Sequence, residues 1–159
     1  MHPEGMPALT YMPSTYLSLH CHIVFGTKNR EPTIATSWRS RLHEYLGGTI
    51  RGLGAYAEIV GGVADHVHLL VGLKATHCLS DVLRELKKGS SGWVHDEIGV
   101  SAFAWQEGYA AFSVSATARD VVRQYIANQA EHHRIKPFRE ELIEMLNKAG
   151  VAYDSKYLD

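Results

Sequence analysis

Cysteine is scarce in this chain: Cys21 and Cys78 are the only two among 159 residues. That leaves no disulfide framework and no Cys-x-x-Cys metal or redox motif. Cys21 falls inside an alternating apolar stretch and reads as a buried, reduced thiol. No apolar run approaches the length of a membrane span, and the N-terminus lacks a signal-peptide layout. A reduced cytoplasmic setting, open to nucleoid association, is the expectation. Net charge is also nearly missing, since 16 Lys and Arg against 17 Asp and Glu leave −1 with histidine neutral. A global basic field for nucleic acid is therefore excluded, and a nucleic-acid binder of this composition needs local patches. There is no His-Glu-x-x-His helix, no internal repeat and no second composition block. With 45% hydrophobic residues, one compact domain with a full core is expected.

The charge that is present is segregated. Lys28 to Arg51 holds five Lys or Arg against two Glu, and Arg119 to Arg139 holds five against Asp120 and Glu131, while the last twenty residues run acidic. Ordinary solvated helix faces account for each patch taken singly. Residues 1–14, with three prolines and three methionines, read as a loose arm, and 15–159 as the single domain.

Thr15 to Thr27 alternates, with Leu17, Leu19, Cys21, Ile23 and Phe25 on one side and Tyr16, Ser18, His20 and His22 on the other, which predicts a strand. A helix is expected from Thr36 or Ser37 as N-cap, with Trp38, Leu42, Tyr45, Leu46 and Ile50 inward, closed by Gly52 and Gly54. Ala55 to Val63 and His66 to Leu73 predict a hairpin turning at Ala64-Asp65. Ser80 is the expected cap of a second helix that Gly89-Ser90-Ser91-Gly92 interrupts. Phe103 to Ser115 reads as a fourth strand broken at Gly108. A helix from Thr117 then carries Val121, Val122, Tyr125, Ile126 and Gln129, and a last amphipathic helix follows Pro137. The order is that of a split βαβ, a ferredoxin-like or RRM-like α+β fold. Its antiparallel four-stranded sheet has helices on one face, plus a C-terminal tyrosine-bearing helix. Val67, Leu69 and Val71 should face those helices, and His66 and His68 the open side.

In a strand the side-chain period is two, so His66 and His68 point the same way and can grip one divalent cation. Such a pair alone is usually a packing feature. Tyr125 and Gln129, four apart, share a helix face, and each alone has an ordinary reading as core and as solvated surface. Together the four residues allow one chemistry. His66, His68 and the Gln129 carbonyl oxygen could complete a three-ligand site with room for a phosphate, which the Tyr125 hydroxyl could attack. A free phenol has a pKa near 10, so it needs the cation to withdraw charge from the phosphoryl group and to orient it. The product is a phosphotyrosine that conserves the phosphodiester energy. A His-His-Gln set should take Mn2+ readily, with Mg2+ the abundant choice. His20-Cys21-His22 is a rival pair, kept as support or packing behind the first.

These stretches resemble the HUH single-tyrosine transposases of minimal insertion sequences and their REP-associated relatives. The matching segments are Asp65-His66-Val67-His68-Leu69-Leu70, His22 through Arg30, Gly108 through Ser115, Tyr125-Ile126-Ala127-Asn128-Gln129, and Glu131-His132-His133-Arg134 onward to Phe138 and Glu141. Ala64 departs from the proline that often precedes the Asp-His pair, a matter of turn rigidity. The resemblance implies Tyr125 as nucleophile, His66, His68 and Gln129 as ligands, and Mg2+ or Mn2+ as cofactor. It further implies cleavage and rejoining of single-stranded DNA at hairpin-marked ends, through a 5′-phosphotyrosine. A homodimer whose subunits share active sites is also implied. Lys28, Arg30, Arg84, Lys87, Lys88, His132, His133 and Arg134 are candidate DNA contacts, which would position the backbone without reading sequence. Two other readings stay open: a domesticated, non-catalytic hairpin-binding protein, and a small hydrolase using His20, His22, His66 and His68.

Overall fold

The structure is a computed structural model that describes residues 15–133 and 135–158, His133 by its backbone alone. The arm expected over 1–14, the His133 side chain and Arg134 lie outside the described residues. Alternating strands and amphipathic helices give β1 (His20–Gly26), α1 (Thr36–Gly52), β2 (Tyr56–Gly62), β3 (His66–Gly72), α2 (Leu79–Trp93), β4 (Ala110–Val114), α3 (Arg119–Ala127), α4 (Gln129–His133) and α5 (Phe138–Ala149). The four strands form one antiparallel sheet in the order β2-β3-β1-β4. This is the ferredoxin-like α+β arrangement that the element order predicts.

Period-two alternation sorts β3 cleanly. Val67, Leu69 and Val71 go to the main core, with Ile23 and Phe25 of β1 and the apolar stripes of α1 and α2. The other face carries His66, His68 and Leu70. It is not open, because α3 lies over it and packs Ile126, Val122 and Tyr125 against Leu70, Ile59 and Val114. The expectation of histidines on an exposed sheet face is therefore corrected. Both imidazoles have no exposed surface.

Close approach of α3 depends on Gly61. A Cβ there would sit 2.6 Å from the Ile126 carbonyl oxygen, so the helix backbone rests directly on β2. Gly61→Ala must displace α3, and we expect a loss of about 1–3 kcal/mol in urea unfolding. A loss below a few tenths would show the helix to be free to move. A register shift between Ala57 and Ile59 lies at Glu58. The buried Glu58 carboxylate accepts from Arg119 Nε at 3.1 Å and pairs with Arg123 at 3.6 Å, which ties α3 to the sheet.

Several local expectations change. β1 starts at His20, where pairing with Gly72 begins, so Leu17 and Leu19 precede the paired strand and stay about half exposed. Thr36 and Ser80 lie inside their helices, and Ala35 and Cys78 take the N-cap places without a side-chain cap. Gly89 to Gly92 does not interrupt α2. The buried Ser90 hydroxyl donates to the Leu86 carbonyl at 2.6 Å and accepts from Trp105 Nε1 at 2.8 Å, so the helix continues to Trp93. β4 is shorter than expected because Phe103 turns into the core, and Gly108, at φ 80°, breaks the chain before Ala110.

His43 on α1 offers a pH test of stability. Its Nε2 is buried without a hydrogen-bond partner, and burial, then the Arg39 charge, push its pKa from 6.5 down to about 4. Between those values the unfolded chain binds the extra proton, so His43 lowers stability as pH falls, by about 2 kcal/mol at pH ~5. Urea midpoints near pH 7.5 and 5 should diverge less in His43→Gln. Equal divergence in both proteins would place the effect elsewhere.

Candidate active site

β3 and the turn before it set the site. Asp65 closes the hairpin, and its backbone carbonyl accepts from Thr27 N–H at 2.8 Å. This fixes the Asp65 carboxylate 2.7 Å from His66 Nδ1. His22 on β1 pairs in register with Leu70, which places its Nε2 2.8 Å from His68 Nδ1. Burial, reinforced by the neighbouring His68, pushes the His22 pKa down to about 3, so its ring is neutral. A neutral His22 can accept the His68 Nδ1–H, as Asp65 accepts that of His66. When a cation takes the place of the Nε2 protons, both rings are thereby held in the tautomer that presents Nε2 to it. Burial opposes protonation of His66, but its hydrogen bonds to Asp65 and Glu141 outweigh that and raise its pKa.

The two Nε2 atoms converge on Glu141 Oε1, at 3.4 Å from His66 and 3.2 Å from His68. His66, His68 and Glu141 are all buried, and one ligand atom from each lies within 4.8 Å of the others, a set that could hold a metal ion. Gln129 Oε1 stands 3.2 Å from His66 Nε2, and Gln129 Nε2 donates to Glu141 Oε2 at 3.2 Å. Tyr125 donates its hydroxyl to Glu141 Oε2, with its ring centroid 5.8 Å from that of His68. His132 Nε2 completes the group, 3.4 Å from Glu141 Oε2. Burial, then the hydrogen bond to Glu141, raises the Tyr125 pKa above its ordinary 10. The phenol is therefore a weak nucleophile until something takes its proton.

Tyr125 and Gln129 are not on one unbroken helix. Asn128, at φ −99° and ψ 21°, ends α3, and Gln129 opens α4. The spacing still brings both to the same place. Glu141 is the residue the sequence reading missed as a site member. It sits in an acidic run with Glu140 and Glu144 that reads as a solvated face. The signal was its place on the buried side of α5, three residues after buried Phe138. Phe138 itself stacks on His66, with ring centroids 3.9 Å apart.

The basic candidates divide. Arg30 donates to the Leu158 carbonyl and lies 4.8 Å over the Phe138 ring. Lys87 donates to the carbonyls of Gln106 and Gly108, and burial lowers its pKa. In this structure both are engaged by carbonyl groups of the fold. Arg84 pairs with Asp81 and Glu85. It rides with Lys87 and Lys88 on α2, across the sheet from Tyr125. Lys28 is exposed near the end of β1. His132 alone of the described candidates stands at the cluster. His20 faces Gly72 rather than the histidine pair. Among the described residues no helix is long and apolar enough to cross a membrane.

A split βαβ sheet that buries an H-x-H pair against a helix-borne tyrosine and a carboxylate defines a class of small α+β proteins with a candidate metal centre. The particular family follows from comparison: residues 15–129 match the family described as IS200-like transposases, and the chain belongs to it. Two solved structures share the fold. A candidate transposase from Deinococcus radiodurans has a TM-score of 0.60 at 23% identity, over 76% of this chain and 97% of that one. A REP-associated tyrosine transposase bound to a REP hairpin has 0.57 at 16%, over 92% and 93%. No curated protein matches.

Proposed function

We propose that this transposase cleaves and rejoins single-stranded DNA at hairpin-marked ends, with Tyr125 as the nucleophile and a divalent cation at His66 and His68. The observation that carries the reading is the meeting of the Tyr125 hydroxyl with the buried His66–His68 cluster inside one chain. The donor set fits a cation, because Asp65 and His22 occupy both Nδ1 atoms and leave two Nε2 atoms converging on oxygen. Gln129 Oε1 supplies a further oxygen beside His66. A hard cation such as Mg2+ or Mn2+ suits this mixture, and when bound it withdraws charge from the phosphoryl oxygens. The tyrosine oxygen forms the new bond to phosphorus, and the bond from phosphorus to the departing 3′ oxygen breaks. A 5′-phosphotyrosine and a free 3′-hydroxyl result.

Hairpin DNA as the partner is supported by family membership and by the hairpin bound to the REP-associated relative. A cleft of about 270 Å3 opens beside the cluster. Its lining includes His22, Phe112, Val122, Met145 and Lys148, an aromatic and a cation of the kind that hold unpaired nucleotides. His66 and His68 are fully buried in this structure, with Phe138 and Glu141 of α5 against them. The same burial favours the second reading, a hairpin-binding protein without catalysis.

One gel separates the two. Hairpin-containing single-stranded DNA with Mn2+ should give a covalent protein–DNA band under denaturing conditions. Binding with no such band across a range of hairpins would favour the binding module. Cleavage with no band would favour water as the attacking group. Because Tyr125 meets its own chain's histidines, mixing Tyr125→Phe with His66→Ala protein should restore no activity. Recovery would instead support sites shared between subunits.

A further inference from the structure

We propose that Glu141 ties the cation to the nucleophile: its Oε1 is a metal ligand beside His66 Nε2 and His68 Nε2, and its Oε2 holds the Tyr125 hydroxyl. The proposal rests on the strand-transfer reading above and adds a residue that reading does not require. Its first support is convergence on one point. The Nε2 atoms of His66 and His68 lie 3.4 and 3.2 Å from Glu141 Oε1, and one ligand atom from each of these three buried side chains is within 4.8 Å of the others. A divalent cation taking the place of the imidazole protons there would have two imidazole nitrogens and Glu141 Oε1 as ligands, with Gln129 Oε1 3.2 Å from His66 Nε2 as a further oxygen.

The second support is the other end of the same carboxylate. Oε2 accepts from the Tyr125 hydroxyl and from Gln129 Nε2 at 3.2 Å. One rigid planar group thus sets the distance from the metal position to the attacking oxygen, and Gln129 acts as a strut on it. α5 presents the group, anchored by Phe138 stacked on His66. During transfer the phenol proton moves along its hydrogen bond to Oε2 as the tyrosine oxygen bonds to phosphorus. The released 3′ oxygen takes its proton from solvent.

Mn2+ binding to the full-length protein, measured by titration calorimetry, tests the ligand half. Glu141→Gln keeps the shape and hydrogen-bonding capacity but removes the charge. It should weaken Mn2+ at least about tenfold, whereas Tyr125→Phe should bind Mn2+ like the wild type. The rate of adduct formation at saturating Mn2+ and hairpin DNA tests the positioning half. Glu141→Asp, with its carboxylate withdrawn from the phenol, should bind Mn2+ better than Glu141→Gln yet form adduct at least about tenfold more slowly than wild type. Circular dichroism melts identify the folded variants, and Glu141→Gln and Glu141→Asp each decide one half alone. Mn2+ affinity in Glu141→Gln within twofold of wild type overturns the ligand role. Adduct formation at or above the wild-type rate in Glu141→Asp overturns the positioning role, and would mean that the carboxylate merely occupies the phosphate's place. If wild-type protein forms no Tyr125-dependent adduct, the strand-transfer reading fails, and the calorimetry still decides whether Glu141 is a ligand.

Discussion

Tyr125→Phe should abolish the covalent protein–DNA species, by at least about a thousandfold against wild type, while hairpin binding persists. The substitution removes one oxygen and nothing else. That oxygen is the one brought to Glu141 Oε2 beside the histidine pair. The ring keeps its packing near His68 and in the cluster of Leu70, Val114 and Ile126. Glu141 Oε2 retains Gln129 and His132 as neighbours, so the folding loss should stay near about 1–2 kcal/mol. A denaturing gel reads the adduct, and fluorescence anisotropy with a labelled hairpin reads binding. A variant that still forms the adduct at a tenth of the wild-type rate would remove Tyr125 from the nucleophile's role.

Loss of either imidazole should be as severe, for a different reason. His66→Ala and His68→Ala each delete an Nε2 from the converging set, and should remove measurable Mn2+ binding together with adduct formation. The two differ in folding cost. His66→Ala also strips the stacking partner of Phe138, and opening that packed site should cost about 2–4 kcal/mol. His68→Ala leaves neutral His22 without the hydrogen bond at its Nε2. Because folding and metal loss overlap in these variants, His66→Leu and His68→Leu, closer in volume and without a ligand atom, serve as companions. They should melt nearer to wild type and still fail with Mn2+. Full Mn2+-dependent activity in both would mean that the pair is packing, as a lone H-x-H in a strand most often is.

Much of this was legible because the residues carry strict periods. Period two through Val67, Leu69 and Val71 fixed which way His66 and His68 had to point, and helical spacing brought Tyr125 and Gln129 together despite the break at Asn128. What the periods could not show is what lies on top. The sheet's second face bears few apolar residues in β3 beyond Leu70, so it looked open. Its cover is α3, admitted by the bare backbone of Gly61, and α5, which brings the Phe138 ring and the Glu141 carboxylate. Glu141 was hidden by its neighbours: among Glu140 and Glu144 it looked solvated, and only tertiary packing distinguishes it. Lys87 and Arg30 show the converse, because carbonyl groups distant in sequence hold both in place.

The most direct measurement is the address of the DNA on the protein. Wild-type adduct, trimmed with nuclease and protease, should yield by mass spectrometry a single nucleotide-bearing peptide with the phosphodiester on Tyr125. Attachment at exposed Tyr109, Tyr157 or Tyr16, or a cleaved strand bonded to no residue, would contradict a site built from that phenol and the two buried imidazoles.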